Sequence, residues 1–136
     1  MVTNVTINDW VIAKYDFDNP ARYVKVTGIM DGHIQSSETD TYYDPTVYEP
    51  ILITSVIKKL GLQYDKQLNL WKHKINGIFV YINTTANTDE VILGVDKQDM
   101  TCSNVVLKIL YVHEFQQALR IVGCSEFANN IQLNNK

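Results

Sequence analysis

SNVVLKILYVHEFQQALRIVG, residues 103–123, holds the longest regular apolar spacing in the chain. From Tyr111 the apolar residues Tyr111, Phe115, Ala118, Leu119 and Val122 recur at i, i+4, i+7, i+8 and i+11, one face of an α-helix. His113, Gln116, Gln117 and Arg120 take the other side, which makes Gln117→Ala a mild substitution. Ser103 or Asn104 can cap the start through a side-chain oxygen, and Gly123 can take the left-handed conformation that ends a helix. The expectation is a long C-terminal helix. Val105 to Leu110, apolar nearly all round apart from Lys108, fits either its buried first turns or a strand that feeds it.

Working back from that helix, three strand candidates precede it: Leu68 to Ile75, Gly77 to Thr84 and Val91 to Asp96. Asn76-Gly77 is a hairpin signal. Alternation places Trp71, His73 and Ile75 on one face of this meander and Leu70, Lys72 and Lys74 on the other. Before it, Thr54 can cap a helix of about two turns that Gly61 closes. Residues 1–53 read differently. Asp9 to Tyr15, Tyr23 to Ile29 and His33 to Ser37 have strand composition, Asp18-Asn19-Pro20 and Asp31-Gly32 mark turns, and Pro45 and Pro50 bound a short edge strand. The fold class expected is α+β. It comprises an N-terminal SH3-like small β-barrel or bent sheet (residues 1–53), then a helix, an antiparallel three-stranded meander and the long helix (residues 54–136), packed together as one protein.

The chain has 136 residues, 46% of them apolar and 20% charged, enough to bury a core without metal or disulfide. No apolar run is long enough for a membrane span, and the start MVTNVTINDW lacks the basic and apolar regions of a secretory signal. A cytoplasmic protein is expected. Cys102 and Cys124, placed at opposite ends of the expected helix, are too far apart to bridge and read as buried structural thiols. The net charge of −3 divides into −5 for residues 1–53 and +2 for residues 54–136. The first part therefore repels nucleic acid.

No catalytic, metal or cofactor signature is complete. His113-Glu114 begins like the zinc-binding HExxH helix motif, but Gln117 stands where the second histidine must be. His33 and His73 lie in separate strands. The glycines form no phosphate loop, and paired carboxylates such as Asp89-Glu90 or Asp96 with Asp99 read as solvated loop charges. No enzyme activity, cofactor or metal is expected. Two surfaces suit a protein partner: the polar stripe His113, Gln116, Gln117, Arg120, whose amides and guanidinium favour specific hydrogen bonds, and the acidic tyrosine patch Tyr42, Tyr43, Tyr48. These tyrosines can equally pack the rim of the β-module. Nucleic acid is the alternative partner, through Lys58, Lys59, Lys66, Lys72 and Lys74, a weak signal without exposed aromatics interleaved. An apolar strip on residues 105–112 leaves the oligomeric state open.

Asn8-Asp9-Trp10-Val11, Lys25-Val26-Thr27-Gly28-Ile29, Tyr48-Glu49-Pro50-Ile51, Ile53-Thr54 and above all Tyr111-Val112-His113-Glu114-Phe115-Gln116 with Ala118-Leu119 and Gly123 resemble a family of small uncharacterised bacterial prophage and mobile-element proteins. Phe115 stands where that family's YVHExQxAL…G motif is expected to carry leucine. The resemblance runs loosely over most of the chain. It implies a bacterial, cytoplasmic, phage-associated origin and brings no catalytic residues. The functional expectation is thus a noncatalytic, phage-associated protein-interaction module.

Overall fold

Asn104–Ile109 is a strand. It pairs antiparallel with Val91–Lys97, from Asp96 opposite Asn104 to Val91 opposite Ile109. The expected long helix is thereby corrected to a ten-residue one, Val112–Ile121. A run with two adjacent valines serves a strand, where β-branched side chains fit the pleat, and among the described residues this strand is an edge of its sheet. The computed structural model describes residues 1–14, 20–75, 77–84, 91–97 and 104–134. Asp18-Asn19, Asn76, Asp89-Glu90, Asp99, Cys102 and the proposed cap Ser103 lie outside the described residues.

Two antiparallel sheets carry the fold, with three short helices between and beside them. The first holds β1 (Trp10–Ala13), β2 (Arg22–Met30), β3 (His33–Ser36) and β4 (Tyr48–Glu49) in the order β3-β2-β1-β4. Asp31 and Gly32 take φ of +51° and +77° in the hairpin that joins β2 to β3, as the Asp-Gly signal requires. An SH3-like barrel does not close. β3 and β4 stand at opposite edges, and β4, bracketed by Pro45 and Pro50, is two residues long and cannot curl the sheet round.

The second sheet has five strands rather than three. β5 (Gln63–Asp65), β6 (Leu70–Ile75), β7 (Ile78–Thr84), β8 (Val91–Lys97) and β9 (Asn104–Ile109) follow one another in chain order. Before them, α1 (Ile53–Val56) is a single turn that begins after Leu52 without a side-chain cap, with Thr54 inside it, and runs on as a 3-10 turn over Ile57–Lys59. After them come α2 (Val112–Ile121) and α3 (Ser125–Asn129). No helix among the described residues is long and apolar enough to cross a membrane.

The larger core lies on the inner face of the second sheet, where Val80, Ile82, Val91, Leu93 and Val95 meet Phe115 and Leu119 of α2, Val56 of α1 and Ala128 of α3. Trp10 and Ile12 of β1 also point into it, whereas Val11 and Ala13 point into a smaller core with Val24, Val26, Ile34 and Tyr48. Strand alternation thus makes β1 the wall between two cores. The polar tail docks through Ile131 and Leu133, and the Trp10 indole Nε1 donates to the Ile131 carbonyl at 2.8 Å.

Phe115 is fully buried at the centre of the larger core. Phe115→Ala is expected to lower unfolding free energy by about 3–5 kcal/mol, read as a fall in the urea midpoint; a loss below about 1 kcal/mol would place this side chain outside the core.

Candidate functional site

The polar stripe of α2 faces inward. Gln116 is completely buried: its Oε1 accepts from the Trp10 amide at 2.9 Å, and its Nε2 donates to the carbonyls of Asn8 and Ala128 at 3.0 and 3.1 Å. Gln117 Nε2 donates to the Asn4 carbonyl and to Asp9 Oδ2, at 2.6 and 2.8 Å. Arg120 Nη1 donates to Asp9 Oδ1 at 2.5 Å and Nε to Asn129 Oδ1 at 3.0 Å. Asp9, itself without exposed surface, also accepts from the amide and hydroxyl of Thr6. These residues hold the chain's own N-terminal segment against α2. That arrangement corrects the solvent-facing stripe and the mild Gln117→Ala expected above.

His113 is 5% exposed, its ring parallel to that of Tyr111 with centroids 5.8 Å apart. With Thr3, Asn4, Pro50, Glu114 and Gln117 it lines a cleft of about 290 Å³. Glu114 turns one carboxylate oxygen onto the amides of Leu110 and Tyr111, both at 2.9 Å, which caps the helix start. Desolvation holds the imidazole below its ordinary 6.5, against the opposing pull of the Asp9 and Glu114 charges and a backbone hydrogen bond with Thr3. Its Nδ1 and Arg120 Nη2 are buried without a hydrogen-bond partner. Among the described residues, no three His, Cys, Asp or Glu side chains gather closely enough to hold a metal ion.

The tyrosine patch is structural for the most part. Tyr48 is fully buried and donates to the Ile34 carbonyl at 3.1 Å, and Tyr43 is half-buried beside the smaller core. Tyr42 lies over Gly28, at a register shift of β2 where an added Cβ would stand 2.6 Å from the Tyr42 hydroxyl. The five lysines do not share a face. Lys58 and Lys59 sit in the 3-10 turn, Lys59 donating to the Leu133 carbonyl at 3.1 Å, and Lys66 is exposed in the turn before β6. Lys72 and Lys74 of β6 do stand together, on the outer face of the second sheet.

That outer face is where aromatic and basic residues meet. Register sets Lys74, Phe79, Asp96 and Asn104 in one row across the sheet, Gln63, Lys72, Tyr81, Gly94 and Val106 in the next, and Asn83, Ile92 and Lys108 in a third. None of these residues belongs to either core, because the helices gather on the opposite face. Tyr81 leans across to β8 and lies over Gly94: a Cβ there would stand 1.9 Å from its Cζ. Phe79 neighbours it, with centroids 5.9 Å apart and planes tilted by 38°. Lys72 pairs with Asp65 at 2.7 Å, and that hydrogen bond first, then the Leu68 amide, keeps the Asp65 carboxyl below its usual range.

Phe79, Tyr81, Gly94 and Lys108 were missed by the sequence reading. The signal for Phe79 and Tyr81 was present in the two-residue hairpin, which fixes them opposite Lys74 and Lys72, whereas Gly94 and Lys108 are placed only by the pairing of β8 with β7 and β9. No family model, curated protein or solved structure matches the chain.

Two stability outcomes follow from the inward-facing stripe. Arg120→Met strips the buried Asp9 carboxylate of its cation and is expected to cost about 3–5 kcal/mol in urea unfolding, against less than about 0.5 kcal/mol for Lys74→Met on the exposed face. The second concerns pH. The folded chain keeps His113 neutral where the unfolded chain protonates near 6.5, so this contribution is complete above pH 6.5 and declines as pH falls below it. Thermal melts should show wild type losing stability relative to His113→Gln on acidification below pH 6.5; parallel curves would refute the buried neutral imidazole.

Proposed function

We propose that this protein is a noncatalytic binder of single-stranded nucleic acid whose platform is the outer face of the second sheet. The observation that carries the reading is the Tyr81 ring occupying the space over Gly94 beside Phe79, with Lys72 and Lys74 at the directly adjacent register positions. Aromatic rings on a sheet face stack bases of any sequence, and flanking ammonium groups meet the phosphates. Glycine at position 94 is what lets the ring settle there. The resemblance to prophage and mobile-element proteins supplies the setting of this proposal, a bacterial cell carrying foreign DNA.

Charge favours modest electrostatics and a dominant stacking contribution. Lys72, Lys74 and Lys108 stand on the face together with Asp65 and Asp96, while residues 1–53 carry −5 and turn phosphate away from the first sheet. Against a protein partner at the helix stripe and the tyrosine patch weigh the hydrogen bonds of the stripe to Asp9 and the N-terminal backbone and the burial of Tyr48. The lysines keep part of their expected role, with Lys108 joining Lys72 and Lys74 and with Lys58, Lys59 and Lys66 outside the platform.

Fluorescence anisotropy with labelled single-stranded DNA and RNA tests this. Tyr81→Ala should weaken binding by about 5- to 150-fold, equivalent to about 1–3 kcal/mol for one stacked base. Gly94→Ala, which forces the ring off its seat while keeping the phenol, should weaken it in the same direction. Three lysines at about −0.7 each predict a log–log salt slope of about −2. Lys58→Glu should leave affinity unchanged. Absence of saturable binding at low salt, or an equal loss in Lys58→Glu and Tyr81→Ala, would overturn the proposal.

A further inference from the structure

The two edges of the second sheet are unlike. β5 is three residues long, Asp65 ends it by accepting from the amides of Gln67 and Leu68 at 2.9 and 3.0 Å, and the same carboxylate pairs with Lys72. A short, charged strand of this kind resists further pairing. β9 has six residues, no proline and a single lysine; Leu107 and Ile109 lie on its core face, and Asn104, Val106 and Lys108 on its outer face. Val106 on the outer face is 58% exposed, and Leu107 on the core face is 43% exposed.

Leu107 is the telling residue. It ends the row Trp71, Ile82, Leu93, Leu107, in which Ile82 and Leu93 have no exposed surface. The middle of the row is core, Trp71 is half-buried, and both ends reach water, at Tyr64 of the short β5 and at Leu107 of β9. One more strand beside β9 would complete it.

We infer that the missing strand is β9 of a second copy of this chain, paired antiparallel about a two-fold axis at Val106. Every pairing already in the sheet is antiparallel, and a two-fold axis makes such an edge complementary to itself. In this register Val106 meets its own counterpart, Leu107 stands opposite position 105 of the second copy, and Lys108 opposite Asn104 of the second copy. No two like charges face one another. Both core faces lie on one side of the joined sheet and both outer faces on the other.

The pairing changes what the outer face can bind, a consequence that rests on the nucleic-acid reading above. The two β7 strands stand five strand spacings apart, about 24 Å at about 4.8 Å each, on one continuous surface. Val106 and Lys108 of both copies form its seam. A single strand long enough to reach both Phe79–Tyr81 pairs engages the second at high effective concentration.

Sedimentation equilibrium without nucleic acid tests the pairing first. A mass of twice 15.6 kDa is expected for wild type, and 15.6 kDa for Val106→Lys, which sets like charges against each other on an exposed position. Val106→Cys should form a disulfide-linked dimer under mild oxidation that wild type and Ile29→Cys do not. A wild-type monomer at every concentration, or a dimer that survives Val106→Lys, overturns the inference. A complex of defined mass with an unrelated chain on β9 overturns it too. Oligonucleotides of about 4 and about 16 nucleotides, spanning the usual site sizes, separate the two proposals. A dimer that binds neither refutes the platform and leaves the pairing intact, whereas a monomer that binds both equally does the reverse.

Discussion

A carboxylate without exposed surface has to be answered inside the protein, and the answer given to Asp9 organises this one. Thr6, Gln117 and Arg120 supply its hydrogen bonds and its counter-charge, while Gln116 beside them takes up the Trp10 amide and the Asn8 and Ala128 carbonyls. Removing water from an ion pair is costly, so such a pair constrains geometry more than it adds stability. Here it fixes α2 against the entry to β1. With that entry fixed, Trp10 and Ile12 fall on the side of the larger core and Val11 and Ala13 on the side of the smaller. The clamp therefore unites what composition and charge present as two different halves.

Because α2 is held by β1 on one flank and by the second sheet on the other, its Val112, Phe115, Ala118 and Leu119 are spent on the inner face, with Ile121 left exposed at its end. Nothing remains of the two cores to cover the outer one. Residues there alternate with core residues along the same strands, so their faces are set by the pleat and cannot be altered one at a time. A sheet whose only task was to cover a core would carry polar residues on that side. This one sets Phe79, Tyr81 and Ile92 at its centre among the polar residues Lys72, Lys74, Asn83, Asp96 and Lys108.

How far the sequence disclosed this varies with the distance over which each interaction acts. Local signals were readable: the Asp31-Gly32 hairpin, the alternation of Trp71, His73 and Ile75 against Lys72 and Lys74, and the buried spacing of Phe115 and Leu119. Val105 to Leu110 was ambiguous because a short apolar run satisfies a buried helix and an edge strand alike. Only pairing with Val91–Lys97 decides it. The helix stripe failed for another reason. Periodicity shows which side of a helix is polar, not what that side meets, and Asp9 lies 111 residues from Arg120. Phe79 and Tyr81 were within reach, since the hairpin register places them beside the lysines.

The charge distribution gives the platform its character. Two carboxylates share a face with three lysines, and one of them already holds Lys72. Coulomb attraction to phosphate is therefore partly cancelled at the surface itself, in a chain whose net charge is −3. A polyanion gains little from approaching such a protein at long range. What it can gain is contact, from rings that stack on bases at van der Waals distance whatever the ionic strength. On the reading proposed above, the outer face takes an unpaired strand in preference to a duplex, whose bases are already stacked and whose outward surface is phosphate.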